Sequence, residues 1–258
     1  MANFISLLRK SIQGLDRYLA FLFVSWLVVM VSLPLLKNVF GERAFLQGLT
    51  LTVLIQVLIV LQVLYRAWGW WPMLRVALGV VLLAWAAQAI GTSSGYPFGS
   101  FKFTSLLQPQ VLRVPFHVPL MWLMMLPPAW AIARLISRKA NGCLVRPLFV
   151  LTSALAFTAW DFYLDPQIVR WAILEWNPPG GYFGIPWTNL LGWLVVSGVI
   201  SFVVSPRRLP GGLLVLIYAL IWLVNFIWQL SFWGLPGSAL AGFFAMGSML
   251  LYAAIMTR

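Results

Sequence analysis

Residues 46–66 read LQGLTLTVLIQVLIVLQVLYR, a run with no acidic or basic side chain before Arg66. A helix crossing a hydrocarbon core of about 30 Å needs about 20 such residues, and a helix is one of the few structures that satisfies its own backbone polar groups without water. Comparable apolar segments flank this one at 18–36, 71–90, 115–136, 147–164, 186–204, 211–231 and 236–257. Pro34, Pro72, Pro147, Pro186, Pro206, Pro210 and Pro236 stand near segment ends and help to set them. The expected fold is all-α: a polytopic membrane helical bundle of about eight transmembrane helices, forming one integral membrane domain over 1–258.

Composition points the same way. Of the 258 residues, 62% are hydrophobic and 9% are charged, with a mean hydropathy of +0.93. An average soluble domain is about 25% charged, so a soluble globule is excluded. The net charge of +12 would fit a nucleic-acid binder if the basic residues formed a run or shared one face. They punctuate the apolar runs instead, so membrane lipid is the expected partner and nucleic acid is not. With eight spans and the N-terminus inside, twelve of the 17 basic residues fall on the inner side, Arg207, Arg208 and Arg258 among them. Lys37, Arg43, Lys102, Arg113 and Arg170 fall outside. That asymmetry predicts cytoplasmic N- and C-termini in a multi-pass protein of the inner cell membrane.

The single cysteine, Cys143, rules out an internal disulfide, and one histidine with five acids leaves too few ligands for a multi-His or Cys-rich metal site. No metal is expected. No phosphate loop ending in Gly-Lys-Ser/Thr occurs, which argues against nucleotide use.

Two connections differ from the rest: 91–114, GTSSGYPFGSFKFTSLLQPQVLRV, and 165–185, DPQIVRWAILEWNPPGGYFGI. In the second, Ile168, Trp171, Ala172 and Trp176 have helical spacing, so 167–176 reads either as a helix that lies in the interface or re-enters the membrane, or as a Trp-anchored loop. The GYPFG (95–99) and PPGGYFGIP (178–186) stretches imply fixed turns.

Ionisable groups at membrane depth are costly and mark candidate sites. Asp161 and Asp165 are four residues apart, which on a helix puts them on one face. Two carboxyls that close in an apolar setting hold a proton between them and can act as a general acid. The competing reading has Asp165 capping the helix that Pro166 would begin, with Asp161 paired to Arg170. Glu175 reads as an exposed interfacial residue. His117, in VPFHVPL, is either a hydrogen-bonded packing residue or a catalyst. Gln88, Asn225 and Gln229 are polar groups within apolar helices, where interhelical hydrogen bonds account for them. Tyr96, Phe98, Trp122, Trp160, Tyr182 and Phe183 flank the same motifs, with ring faces suited either to plain packing or to lining a polyene groove and stabilising a cation.

Four segments together resemble the membrane-bound carotenoid biosynthesis family that includes the carotenoid 1,2-hydratases: GTSSGYPFGSFKFT (91–104), VPFHVPLMWLMM (114–125), WDFYLDPQIV (160–169) and GGYFGIPWTNLLGW (180–193). The family's pattern carries an acid where this chain has Gln88, and differs also at Ser94 and Phe101. The resemblance therefore implies that the proton-donor role falls to the aspartates. It implies hydration of the terminal C1=C2 double bond of an acyclic carotenoid, of lycopene or γ-carotene type, to a tertiary alcohol without a cofactor. Asp161 would be the proton donor, Asp165 its partner or the water base, and His117 and Asn189 candidate water-positioning groups. Gln88, Tyr96, Phe98, Trp122, Trp160, Tyr182 and Phe183 would line the substrate site. The alternatives are a non-enzymatic carotenoid-binding membrane protein and a membrane prenyltransferase, which needs two carboxylate clusters to hold Mg²⁺ and diphosphate.

Overall fold

The computed structural model describes residues 2–206 and 209–257, so Arg207, Arg208 and Arg258 of the charge pattern lie outside the described residues. The chain forms α1 (Ala2–Gln13), α2 (Arg17–Trp68), α3 (Trp70–Ser94), α4 (His117–Ser137), α5 (Val145–Arg170), α6 (Trp187–Val204), α7 (Gly211–Ser231) and α8 (Pro236–Met256). Seven of these, α2 to α8, are long and apolar enough to cross a membrane. The all-α polytopic bundle holds.

Two expected spans share α2. Its 52 residues would extend about 78 Å if straight, well beyond one crossing. Gly41, at φ 83° and ψ −175°, takes a conformation that side-chain-bearing residues rarely adopt and breaks the helix. The two arms fold back on each other. Arg66, near the end of the second, pairs with Asp16, which caps the start of the first by accepting from the Leu19 amide at 2.8 Å. Gly48 sits against the side chains of Leu33 and Leu36. Seven continuous helices thus supply eight crossing segments. The Leu19 amide and then Arg66 hold the Asp16 carboxyl below the usual carboxylate range. This cap therefore contributes throughout that range and is lost only as pH falls through the lowered value.

Helix α4 is the centre of the bundle. It is buried without interruption from Met121 to Ala133, and its crossing window is 83% buried against 28–50% for the others. An apolar surface on every side is the sequence cause. Outer helices leave a stripe for lipid, as at Leu191, Val195 and Val199 of α6, all exposed.

Helix α5 runs through Pro166 to Arg170, six residues beyond its expected end. A proline in a helix removes one N–H and frees the carbonyl four residues earlier. That carbonyl belongs to Phe162, and it accepts hydrogen bonds from the Tyr182 hydroxyl at 3.0 Å and the Ser238 hydroxyl at 2.8 Å. With the freed acceptor satisfied, the helix continues. Asp165 is consequently inside α5 and caps nothing.

The two long connections form strands. β1 (Phe101–Phe103) pairs antiparallel with β4 (Leu174–Trp176), while β2 (Gln110–Val111) and β3 (Val114–Pro115) make a second small ladder. This overturns an interfacial helix over 167–176. Ile168 lies in the last turn of α5, Ala172 turns the chain at φ 52°, and Trp176 lies in a strand.

Candidate active site

Asp161 and Asp165, one turn apart on α5, converge on Asn189 in the first turn of α6. The Asn189 Nδ2 donates to Asp161 Oδ2 at 2.9 Å and also to Asp165 Oδ2. All three side chains are buried. The PPGGYFGIP segment fixes the place of Asn189. Bridges join Gly180 to Gly184 and Tyr182 to Ile185, α6 starts after Pro186, and the Asn189 amide bonds the Pro186 carbonyl. Burial pushes the Tyr182 hydroxyl above the ordinary tyrosine value, which keeps it a neutral donor to Phe162.

Asp165 and Asn189 line a small pocket together with Gln88 of α3. The β1–β4 ladder roofs it. Alternate strand residues point to opposite faces, so Phe101, Phe103, Leu174 and Trp176 line the cavity, while Lys102 and Glu175 pair at 2.9 Å on the outside. Trp122 and Trp193 supply further wall. They stack at 5.0 Å, and Phe157 packs on both at 4.7 and 5.1 Å. Trp160 meets this cluster edge-on.

A second, larger pocket shares Phe103, Val118, Met121, Leu164 and Ile168 with the first, so the two lie side by side. It extends between α2, α4, α5 and α7, with Met30, Leu33, Val53, Met124, Ile221 and Trp228 in its wall. Its polar side chains bond to protein: Gln56 to the Met124 carbonyl, Gln167 to Asn225, and Asn225 to the Ile221 carbonyl. Gln229 bonds the Tyr163 carbonyl and accepts from Ser238. The interhelical role read for Asn225 and Gln229 is what they perform.

The structure thus gathers Asp161, Asp165, Asn189, Gln88 and Trp122. Of the carboxyls, Asp165 lines the cavity, whereas Asp161 lies behind it with Oδ1 buried and unpartnered. Trp160 lines the second cavity. Phe98 is buried one layer out, packed on Phe101 at 6.1 Å, and Tyr182 braces α5 from outside the cavity. His117 bonds Thr50 on α2 at 2.9 Å and is not in either cavity wall. Tyr96 is 78% exposed and Phe183 41%, so both stand at the surface. Sequence reading missed Trp193, although it stands four residues after Asn189 on the same helical face. It also missed the four strand residues of the roof, whose partners are distant in sequence.

Gly192 is the tight point between roof and bundle. A Cβ there would lie 2.6 Å from the Phe98 ring and 3.0 Å from the Pro97 carbonyl. Gly192→Ala is expected to push the 95–99 turn off α6, at a cost of about 1–3 kcal/mol. Thermal unfolding in detergent checks it, and an unchanged midpoint would show that the turn yields freely.

Fold and site together define a multi-pass membrane protein in which a buried acid pair opens onto an apolar interior. The family described as carotenoid biosynthesis protein matches residues 48–246, and the chain belongs to it. Over 122 residues the chain is 28% identical to the bisanhydrobacterioruberin hydratase of Haloarcula japonica, an alignment covering 46% of this chain and 40% of that protein. The chain therefore matches less than half the length of that relative. No solved structure matches.

Proposed function

We propose that the protein is a carotenoid hydratase, adding water across the terminal C1=C2 double bond of an acyclic carotenoid, of lycopene or γ-carotene type, to give a tertiary alcohol. The observation that carries this reading is the junction of two unlike spaces. A small pocket holding a buried carboxyl adjoins a larger, mainly apolar one. The reading places an end group against the first and its polyene along the second. Membership of a carotenoid biosynthesis family and similarity to a hydratase support the same substrate class and reaction.

In this mechanism Asp165, which faces the pocket, takes the donor role that sequence reading gave to Asp161. It delivers a proton to C2. The π electrons form the new C–H bond and leave a tertiary cation at C1, next to the Trp122 and Trp193 π systems, where cation–π attraction stabilises it. Water adds to C1 and returns its surplus proton to Asp165. Asp161 stands one turn away as the second carboxyl over which that proton is held, because two buried carboxyls tolerate one charge better than two, while the Asn189 amide donates to both. The step is redox-neutral, and its atoms balance without a cofactor. The basic-residue asymmetry supports placing the roof on the outer side of the inner cell membrane, with cytoplasmic termini.

Mass spectrometry of pigments from lycopene-producing bacteria expressing the full chain tests the reading. A pigment heavier by one water is expected. Unchanged lycopene bound to the purified protein would overturn the enzyme in favour of a binding protein. Activity that needs Mg²⁺ and a diphosphate substrate would point to a prenyltransferase.

A further inference from the structure

We propose that Gln88 holds the attacking water; the assignment rests on the hydratase reading. Gln88 is 5% exposed and lines the carboxyl pocket from α3, whereas Asp165 and Asn189 reach it from α5 and α6. The other buried amide side chains, Gln56, Gln167, Asn189, Asn225 and Gln229, all bond to protein groups. Gln88 makes no such bond among the described residues. Buried polar groups are nearly always hydrogen-bonded, and leaving one unmet is costly. An amide held at a pocket wall against that tendency is therefore matched to something that occupies the pocket.

The chemistry narrows the occupant. An isoprenoid end group is hydrocarbon and offers an amide nothing to bond, while the reaction's second reactant is water. An amide suits water because its carbonyl accepts one water hydrogen and its NH₂ donates to nothing that the cation needs. The water lone pair is then free to meet C1. The two groups first considered for this role are occupied elsewhere: the Asn189 Nδ2 is divided between two carboxyls, and His117 bonds Thr50 outside the pocket walls. Gln88 lines the pocket from α3 and Asp165 from α5, so proton and water come from different helices.

The role separates water capture from protonation, and heavy water reads the two apart. Full-length wild-type, Gln88→Met and Gln88→Glu proteins are incubated in membranes with lycopene in D₂O. Methionine keeps the side chain's length and burial without its hydrogen bonds, and glutamate keeps an acceptor. In Gln88→Met, hydration is expected to fall about 10²-fold while deuterium still enters recovered lycopene. Asp165 delivers a deuteron to C2, no water is aligned, and a neighbouring C–H bond breaks. Its electron pair rebuilds a double bond, and the proton returns to the carboxylate. Gln88→Glu is expected to restore part of the hydration. Equal losses of hydration and exchange in Gln88→Met, or full hydration in it, would overturn the assignment. A wild-type protein that neither hydrates nor exchanges would instead sink the hydratase reading itself, and Gln88's role with it.

Discussion

Asp165→Asn is expected to abolish hydration while leaving a folded protein in the membrane. The substitution keeps side-chain volume and a hydrogen-bonding oxygen next to Asn189, so the packing around α5 and α6 has no reason to collapse. What disappears is the transferable proton. A positioned general acid contributes about 10²- to 10⁴-fold, and the alkene has no other carboxyl donor in a pocket whose other walls are Gln88, Asn189 and mainly apolar side chains. Asp161→Asn is expected to lose activity too, because it removes the carboxyl with which Asp165 shares its proton. Pigment analysis of both variants, beside a thermal unfolding midpoint, separates chemistry from folding. Wild-type turnover in Asp165→Asn would remove the acid from the mechanism.

The second large effect is expected from Asn189→Leu. One amide nitrogen serves two buried carboxyl oxygens, and leucine fills nearly the same volume while offering neither hydrogen. The two carboxyls would then keep only the proton they share, with no amide donating to their other oxygens. Leaving buried groups unpaired costs about 1–3 kcal/mol each, so the variant should melt several degrees lower and lose hydration. Unfolding in detergent and product analysis check both arms. A variant as stable and active as wild type would show that the carboxyls do not depend on Asn189.

The spans were legible because hydrocarbon imposes a length and leaves no other use for twenty apolar residues. Residues 211–231 and 236–257 were bounded almost to the residue by the prolines before them. The connection between 18–36 and 46–66 was legible from Lys37, Glu42 and Arg43, whereas its near-complete helicity, broken at Gly41 alone, was not. Asp161 and Asp165 announced themselves by spacing and by depth. Their common partner Asn189 emerged from the motif resemblance rather than from periodicity, because the contact joins two helices. The roof stayed hidden for a related reason. Three-residue strands carry too little alternation to read, and FKF at 101–103 finds LEW only at 174–176. The helical spacing read over 167–176 belongs in its first part to α5, which runs on to Arg170, and fails where Ala172 turns the chain.

The Phe101–Trp176 roof also governs how a two-ended molecule would be treated. On the hydratase reading, a polyene slides in through the large cavity until its tip meets closed strands, and it has to retreat along the same path. The enzyme then keeps no memory between the two ends of one molecule. Each end is a separate visit, the half-finished pigment is returned to the bilayer where other enzymes compete for it, and the singly hydrated form rises and falls before the doubly hydrated one accumulates.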